Sequence, residues 1–180
     1  PAQLKRFVEQ AHRLGLMVLL DVVCNHFGPD GNYLHAYCPQ FFDASRRTPW
    51  GPALRFEGEH AATLRRFFVD NALFWVNEYR LDGLRLDAVH AIHDGSPLHI
   101  VEEIAAALRD GPGRERHVHL VLEDEQRRPR WIERNGAGAP RVASAHWHDP
   151  WHHAAHVLAT GEREGYYRPF ADPPAARPAQ

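Results

Sequence analysis

GLRLDAVH at residues 83–90 and LVLE at residues 120–123 are short apolar runs that each deliver a carboxylate, Asp87 and Glu123. An apolar run of roughly four to eight residues is typical of a buried strand. A charged side chain just beyond such a strand lies at the carboxyl edge of the sheet, where parallel α/β barrels hold their active sites. Two carboxylates at that edge predict acid and nucleophile chemistry, most simply on a glycosidic bond.

Length and composition place the chain among globular domains. It has 180 residues, 44% of them hydrophobic, and a net charge of −2. This balance gives no electrostatic reason to expect a nucleic-acid or membrane partner, and no apolar run reaches the ~18 residues of a membrane span. The first residue is Pro1, so we expect a segment of a longer protein. Cys24 and Cys38 do not make a disulfide framework, which favours reduced thiols and a cytoplasmic protein.

Apolar spacing predicts an alternation of helices and strands. Helical spacing covers residues 3–14, 63–79, 97–109, 128–134 and 151–160, and apolar runs cover residues 16–23, 84–89, 118–122 and 142–147. A long loop at residues 25–62 separates the first strand from the second helix, and loops of this length are usually functional. The alternation predicts an α/β fold: a partial TIM (β/α)8 barrel with about strands 3 to 6 and their helices over residues 1–170. The Pro- and Ala-rich tail at residues 171–180 is predicted to be disordered.

These segments resemble the α-amylase superfamily of retaining glycoside hydrolases. DVVCNH at residues 21–26 is similar to its first signature, at the third barrel strand. GLRLD at residues 83–87 and LE at residues 122–123 are similar to the second and third signatures, at the fourth and fifth strands.

A narrower resemblance is to the maltooligosyltrehalose trehalohydrolases. It is carried by NHFGPDGNYL (25–34), TPWG (48–51), DAVHAI (87–92) and the stretch 147–167 with its HH and TGE strings. This resemblance implies retaining hydrolysis of the α-1,4 bond next to the terminal trehalose of a maltooligosyltrehalose, with an α-glucan oligosaccharide as partner and no cofactor.

The resemblance also implies roles for single residues. Asp87 would be the nucleophile, and Glu123 would be the general acid and then the base. Arg85 would keep Asp87 ionised through charge-assisted hydrogen bonds. Asp21 and His26 would shape the subsite of the attacked sugar. Further substrate contacts are expected from the following residues: Tyr33, Trp50, His90, Asp149, His152 and His153.

The chain departs from the superfamily in three places. His90-Ala91 stands where Lys-His is frequent, and His148-Asp149-Pro150 stands where the subgroup usually has Asn-Asp-Asp. An Asn-His-Asp string, which carries the superfamily's third carboxylate, is absent from the sequence. We therefore expect that carboxylate, and the remaining strands, outside this chain, and we expect the chain alone to be inactive.

Other readings of the same residues remain open. The chain could come from another α-glucan enzyme, such as a branching enzyme or an α-amylase, or be a truncated remnant without activity. Asp87 could be a structural ion-pair partner of Arg85, and residues 123–125 (EDE) could form a solvated acidic turn. Histidines at 146–156 could bind zinc, and Asn25 could contribute to a calcium site. The expectation, however, is that no metal is bound.

Overall fold

The computed structural model describes residues 1–28, 30–48, 50–126 and 128–171. In chain order its helices and strands are α1 (Ala2–Arg13), β1 (Leu19–Val23), α2 (Leu34–Tyr37), β2 (Phe42–Thr48), β3 (Gly51–Leu54), α3 (Ala61–Glu78), β4 (Gly83–Asp87), α4 (Ile100–Asp110), β5 (His119–Glu123), β6 (Ala145–Trp147), α5 (Asp149–Thr160) and α6 (Arg168–Ala171). Contacts divide the chain into two compact units, residues 1–146 and residues from 147 onward.

One sheet carries the strands that the apolar runs predict. Its order is β1–β4–β5–β6, and the pairs β1–β4 and β4–β5 are parallel. The α/β class with a parallel sheet is therefore confirmed. Ser144 directly precedes β6, and its N–H donates to the Leu120 carbonyl of β5 at 2.7 Å, which places the start of β6 beside β5.

The two faces of this sheet differ because side chains alternate along a strand. Leu84 and Leu86 of β4 and Leu120 and Leu122 of β5 are buried in the main hydrophobic core, which α3 and α4 cover. Arg85, Asp87 and Glu123 occupy the alternate positions and stay partly exposed. The helices thus bury one face of the sheet, and the other face is free to hold polar groups.

Strand β1 is more exposed than its apolar run predicts. Leu19 and Val23 are 38% and 47% exposed, whereas Leu20 and Val22 pack against the core. A nearly unbroken apolar run such as residues 16–23 is typical of a strand covered on both faces, but in the described residues only one face of β1 packs against the core. The alternation again gives the reason, since the exposed positions lie on the face that the helices do not cover.

The predicted loop at residues 25–62 contains structure of its own. Strands β2 and β3 form an antiparallel pair with an irregular register between Asp43 and Arg47. Phe42 and Leu54 from this hairpin are buried in the main core. The sequence prediction missed the hairpin because β2 is mostly polar and exposed and shows no clear alternation.

Two predicted helices differ from the structure by more than two residues. Helix α4 begins at Ile100 rather than Pro97, because His99 caps it: its Nδ1 accepts from the Val101 N–H at 3.2 Å. The helix predicted at residues 128–134 is only a 3₁₀ turn, Pro129–Trp131, which buries the Trp131 indole.

The second unit contains α5, a 3₁₀ turn at Gly165–Tyr167 and α6. Gly161 ends α5 in a left-handed conformation (φ 73°), a common helix termination for glycine. Apart from Ala171, the tail predicted to be disordered lies outside the described residues. In the described part of the chain, no helix is long and apolar enough to cross a membrane.

Candidate active site

The parallel register brings polar residues of three neighbouring strands together. Asp21 of β1 is the register partner of Arg85 on β4, and Val23 is that of Asp87. Leu86 is the partner of Leu122 on β5, so Glu123 comes one position beyond that pair. Because the carboxyl ends of parallel strands meet at one edge, these side chains converge there.

The Arg85 guanidinium joins three carboxylates. Its Nη1 donates to Oδ1 and Oδ2 of Asp21 at 2.9 and 3.0 Å and to Oδ1 of Asp87 at 2.7 Å. Its Nη2 lies 2.9 Å from Oε2 of Glu123. Burial by itself lowers the pKa of Arg85, but the hydrogen bonds to Asp21 and Asp87 and the charge of Glu123 outweigh it, so the pKa is raised above its usual value. Arg85 is therefore a permanent cation that fixes these carboxylates on one face of the sheet.

Ala88, directly after Asp87, adopts a left-handed conformation with φ 42° and ψ 50°. L-residues other than Asn and Asp rarely do so, and such conformations concentrate at functional sites. In this conformation the Ala88 N–H donates to Oε2 of Glu123 at 2.9 Å. Two donors, Arg85 and Ala88, therefore converge on the same oxygen of Glu123.

A buried amide lies behind this turn. Asn25 is 1% exposed, and its Nδ2 donates to the carbonyls of Asp87 and Ala88 at 3.1 and 3.3 Å. Its Oδ1 contacts Nδ1 of His26, whose ring stacks on Trp50 with centroids 5.2 Å apart and an interplanar angle of 18°. The sequence indicated Asn25 only as a calcium ligand. Nothing in its position along the chain indicated that its side chain bonds to the backbone of Asp87.

Tyr33 and His90 lie on loops of the first unit. Tyr33 immediately precedes α2 and is 67% exposed. His90 sits in the 3₁₀ turn after Ala88, where its Nδ1 accepts from the Glu125 N–H at 3.4 Å. Both are accessible for contact with a bound ligand, and the substrate roles predicted for them stay predictions.

The acidic string at residues 123–125 is not a solvated turn throughout. The Asp124 side chain has no exposed area and accepts from the N–H groups of Gln126 and Arg128 at 3.2 and 3.0 Å. Glu123 faces Arg85, whereas the Glu125 side chain is 65% exposed. The three carboxylates thus have three different environments, and only Glu123 joins the Arg85 cluster.

Asp149, His152 and His153 belong to the second unit and form a cluster there. His152 Nδ1 lies 3.6 Å from Oδ1 of Asp149, and the rings of His152 and His153 are 4.0 Å apart. His153 Nε2 is 3.0 Å from the hydroxyl of Tyr166. Over the described ranges, no group of three or more His, Cys, Asp or Glu side chains has the arrangement of a metal site.

Comparison with known proteins identifies the protein family to which this site belongs. No protein-family model matches the chain. A malto-oligosyltrehalose trehalohydrolase of Saccharolobus solfataricus is 40% identical over 94% of the chain, which spans 29% of that protein. The crystal structure of a putative α-amylase from Salmonella typhimurium is 42% identical, with a TM-score of 0.85 over 95% of the chain and 29% of its own. A glucan branching enzyme of Pseudoalteromonas atlantica is 38% identical over 49% of the chain and 13% of its own length.

The sheet, its carboxylate edge and these similarities place the chain in the α-amylase superfamily, with β1, β4, β5 and β6 as part of the (β/α)8 barrel. Within that superfamily, the chain belongs to the malto-oligosyltrehalose trehalohydrolase family. It spans about 29% of the length of the family members it matches.

Proposed function

We propose that this chain is the catalytic segment of a retaining glycoside hydrolase that releases trehalose from maltooligosyltrehalose. The observation that carries the proposal is the position of the Arg85 guanidinium, which contacts both Asp87 and Glu123 at the carboxyl ends of neighbouring strands. The trehalohydrolase of Saccharolobus solfataricus, named for this reaction, supports the choice of substrate. The complete protein would then act on an α-glucan oligosaccharide in trehalose biosynthesis.

In the first step, an oxygen of the Asp87 carboxylate attacks the anomeric carbon of the glucose next to the trehalose unit. The bond from that carbon to the bridging oxygen breaks, and Glu123 gives its proton to that oxygen, so trehalose leaves with a free hydroxyl. The product on the protein is a glycosyl ester of Asp87. Arg85 supports this step by directing Oδ1 of Asp87 through a 2.7 Å charge-assisted hydrogen bond.

In the second step, Glu123 acts as a base. It takes a proton from water while the water oxygen attacks the anomeric carbon and displaces the Asp87 carboxylate. Two inversions at the same carbon give net retention, and both carboxylates return to their starting states. Asn25 joins the backbone carbonyl of Asp87 to His26, whose ring stacks on Trp50. We propose that His26 and Trp50 contact the sugar ring, together with Asp21, Tyr33 and His90.

A cysteine also lies near the carboxylates, but it does not support thiol chemistry. Cys24 is buried, and its pKa is raised to about 12 by burial and by the charge of Asp87. A thiol with such a pKa is almost entirely protonated near neutral pH and is a poor nucleophile. Cys24 and Cys38 are both free thiols, which supports the proposal of a cytoplasmic protein.

The test is trehalose release by the full-length gene product from a purified maltooligosyltrehalose, with free trehalose measured by chromatography. We expect turnover by the wild-type protein and a loss of about 10⁴-fold in Asp87→Ala. Residues 1–180 alone serve as a further control and are expected to be inactive. Wild-type protein that releases no trehalose, or an Asp87→Ala variant that retains full turnover, would overturn the proposal.

Glucan branching is the second candidate, because about half of the chain is similar to a branching enzyme. The same covalent intermediate would then pass its glycosyl group to a sugar hydroxyl instead of to water. The assay separates the two: branching creates new α-1,6 bonds in a linear α-glucan and releases no trehalose. The trehalohydrolase similarity extends over nearly twice as much of the chain, which favours hydrolysis.

A further inference from the structure

We infer that Asn25 is a positioning residue that couples the turn after Asp87 to the orientation and tautomer of His26. The inference rests on the proposed function, since it concerns how that site is held. Asn25 is buried, so its contacts are made with protein groups and not with bulk water. Its amide has one donor end and one acceptor end, and each end faces a different part of the site.

The donor end holds the backbone of the turn. Nδ2 donates to the carbonyls of Asp87 and Ala88. Carbonyl oxygens only accept, so the amide nitrogen must be the atom that faces them. Because Ala88 has a left-handed conformation that its side chain disfavours, the turn needs such external support. The same turn presents the Ala88 N–H to Glu123, so Asn25 acts indirectly on both carboxylates.

The acceptor end determines that Nδ1 of His26 carries a hydrogen. With Nδ2 turned to the two carbonyls, Oδ1 faces Nδ1 of His26. An amide oxygen cannot donate, so Nδ1 of His26 must carry the hydrogen. In a neutral imidazole the other nitrogen, Nε2, then has a free lone pair and accepts. His26 would therefore present an acceptor to a sugar hydroxyl, held in place by its stacking on Trp50.

Two variants of the full-length protein separate the two ends. Asn25→Asp keeps an oxygen for Nδ1 of His26 but turns a second oxygen toward the carbonyls of Asp87 and Ala88. We expect His26 to keep its Nδ1–H tautomer while kcat falls by about 10²-fold, since small displacements of reacting groups have effects of this size. Asn25→Ala removes both ends, so we expect a similar fall in kcat and, in addition, a rise in KM.

The tautomer is measured by nitrogen-15 NMR of labelled histidine, with His26 assigned by its loss in His26→Gln. This readout does not depend on trehalose release, so the inference and the proposed function fail separately. His99→Ala is the matched stability control, because it removes another buried polar side chain, that of the α4 cap. It should lower the thermal midpoint while leaving kcat and KM near wild type.

The outcomes decide the inference. An Nδ1–H signal for wild-type His26, together with a KM rise in Asn25→Ala that Asn25→Asp lacks, supports it. An Nε2–H tautomer in the wild-type protein would overturn it. So would a folded Asn25→Ala variant with unchanged kcat and KM, or one whose kinetics change only as much as those of His99→Ala.

Discussion

The backbone N–H of Ala88 donates to Oε2 of Glu123 at 2.9 Å, which joins the residue after one carboxylate directly to the other. Arg85 approaches the same oxygen at 2.9 Å. Both donors require Oε2 to accept, so in the proposed mechanism the proton that Glu123 gives up belongs on its other oxygen, Oε1. In that mechanism, the turn after Asp87 determines which oxygen of Glu123 faces the leaving group.

Replacing Glu123 by Gln should remove the proton donor but keep an oxygen for Ala88 and Arg85. We expect trehalose release to fall by about 10² to 10⁴-fold, the usual contribution of general acid–base catalysis. Cleavage of a glycosyl fluoride should fall far less in the first step, because fluoride leaves without a proton. Comparing the burst of fluoride release with trehalose release measures the difference. Equal losses on both substrates would mean that Glu123 is not the acid.

Replacing Arg85 by Lys keeps the positive charge but loses the planar fork that reaches Asp21, Asp87 and Glu123. We expect kcat/KM to fall by about 10²-fold through misplacement of the carboxylates. Arg65→Lys is the matched control, since Arg65 also binds two carboxylates, Asp94 and Glu103, at 2.8 and 2.7 Å. It should destabilise the protein and leave kcat/KM near wild type. Similar kinetic losses in both variants would contradict the role given to Arg85.

Much of this site follows from the sequence because strands and their ends are encoded by short local patterns. The apolar runs predicted β1, β4 and β5, and the parallel register then brought Asp21, Arg85 and Asp87 together. The left-handed turn at Ala88 was not predictable, since alanine carries no signal for positive φ. The role of Asn25 was missed for a similar reason: its contacts with Asp87 and Ala88 join residues more than sixty positions apart.

The close approach of β4 to β5 should make Gly83 sensitive to any side chain. A Cβ at Gly83 would lie 2.7 Å from Cβ of His119 and closer still to its carbonyl oxygen, and backbone atoms in a parallel ladder cannot move aside easily. Gly83→Ala should therefore lower the free energy of unfolding by about 1–3 kcal/mol, measured by urea denaturation. Gly136→Ala, where an added Cβ meets nothing within 4 Å, should be nearly neutral. A Gly83→Ala variant as stable as Gly136→Ala would show that the strands are farther apart.

The buried cap of α4 predicts a dependence of stability on pH. Burial lowers the pKa of His99 below its usual 6.5, and the charge of Arg128 adds to this effect while Asp94 and Glu102 oppose it. The unfolded chain therefore binds a proton more readily than the folded one between the folded pKa and about 6.5, so stability falls as the pH drops through that window.

The variant His99→Asn tests this dependence, because asparagine is a good helix cap and does not titrate. We expect its urea midpoint to fall less than that of the wild-type protein as the pH is lowered from about 7.5 to about 5. His119, whose pKa is lowered by burial and by the charge of His117, remains in both proteins and supplies a common background. Identical pH dependence in the two proteins would contradict the account of the cap.

The central claim is that Asp87 and Glu123 release trehalose with retention at the attacked carbon. Proton NMR of the full-length protein acting on a maltooligosyltrehalose follows both parts of the claim in one reaction. We predict that trehalose appears together with a malto-oligosaccharide whose new reducing end is first the α-anomer, which then equilibrates to the β-anomer. An initial β-anomer would contradict the double displacement on Asp87, and cleavage that yields no trehalose would contradict the substrate.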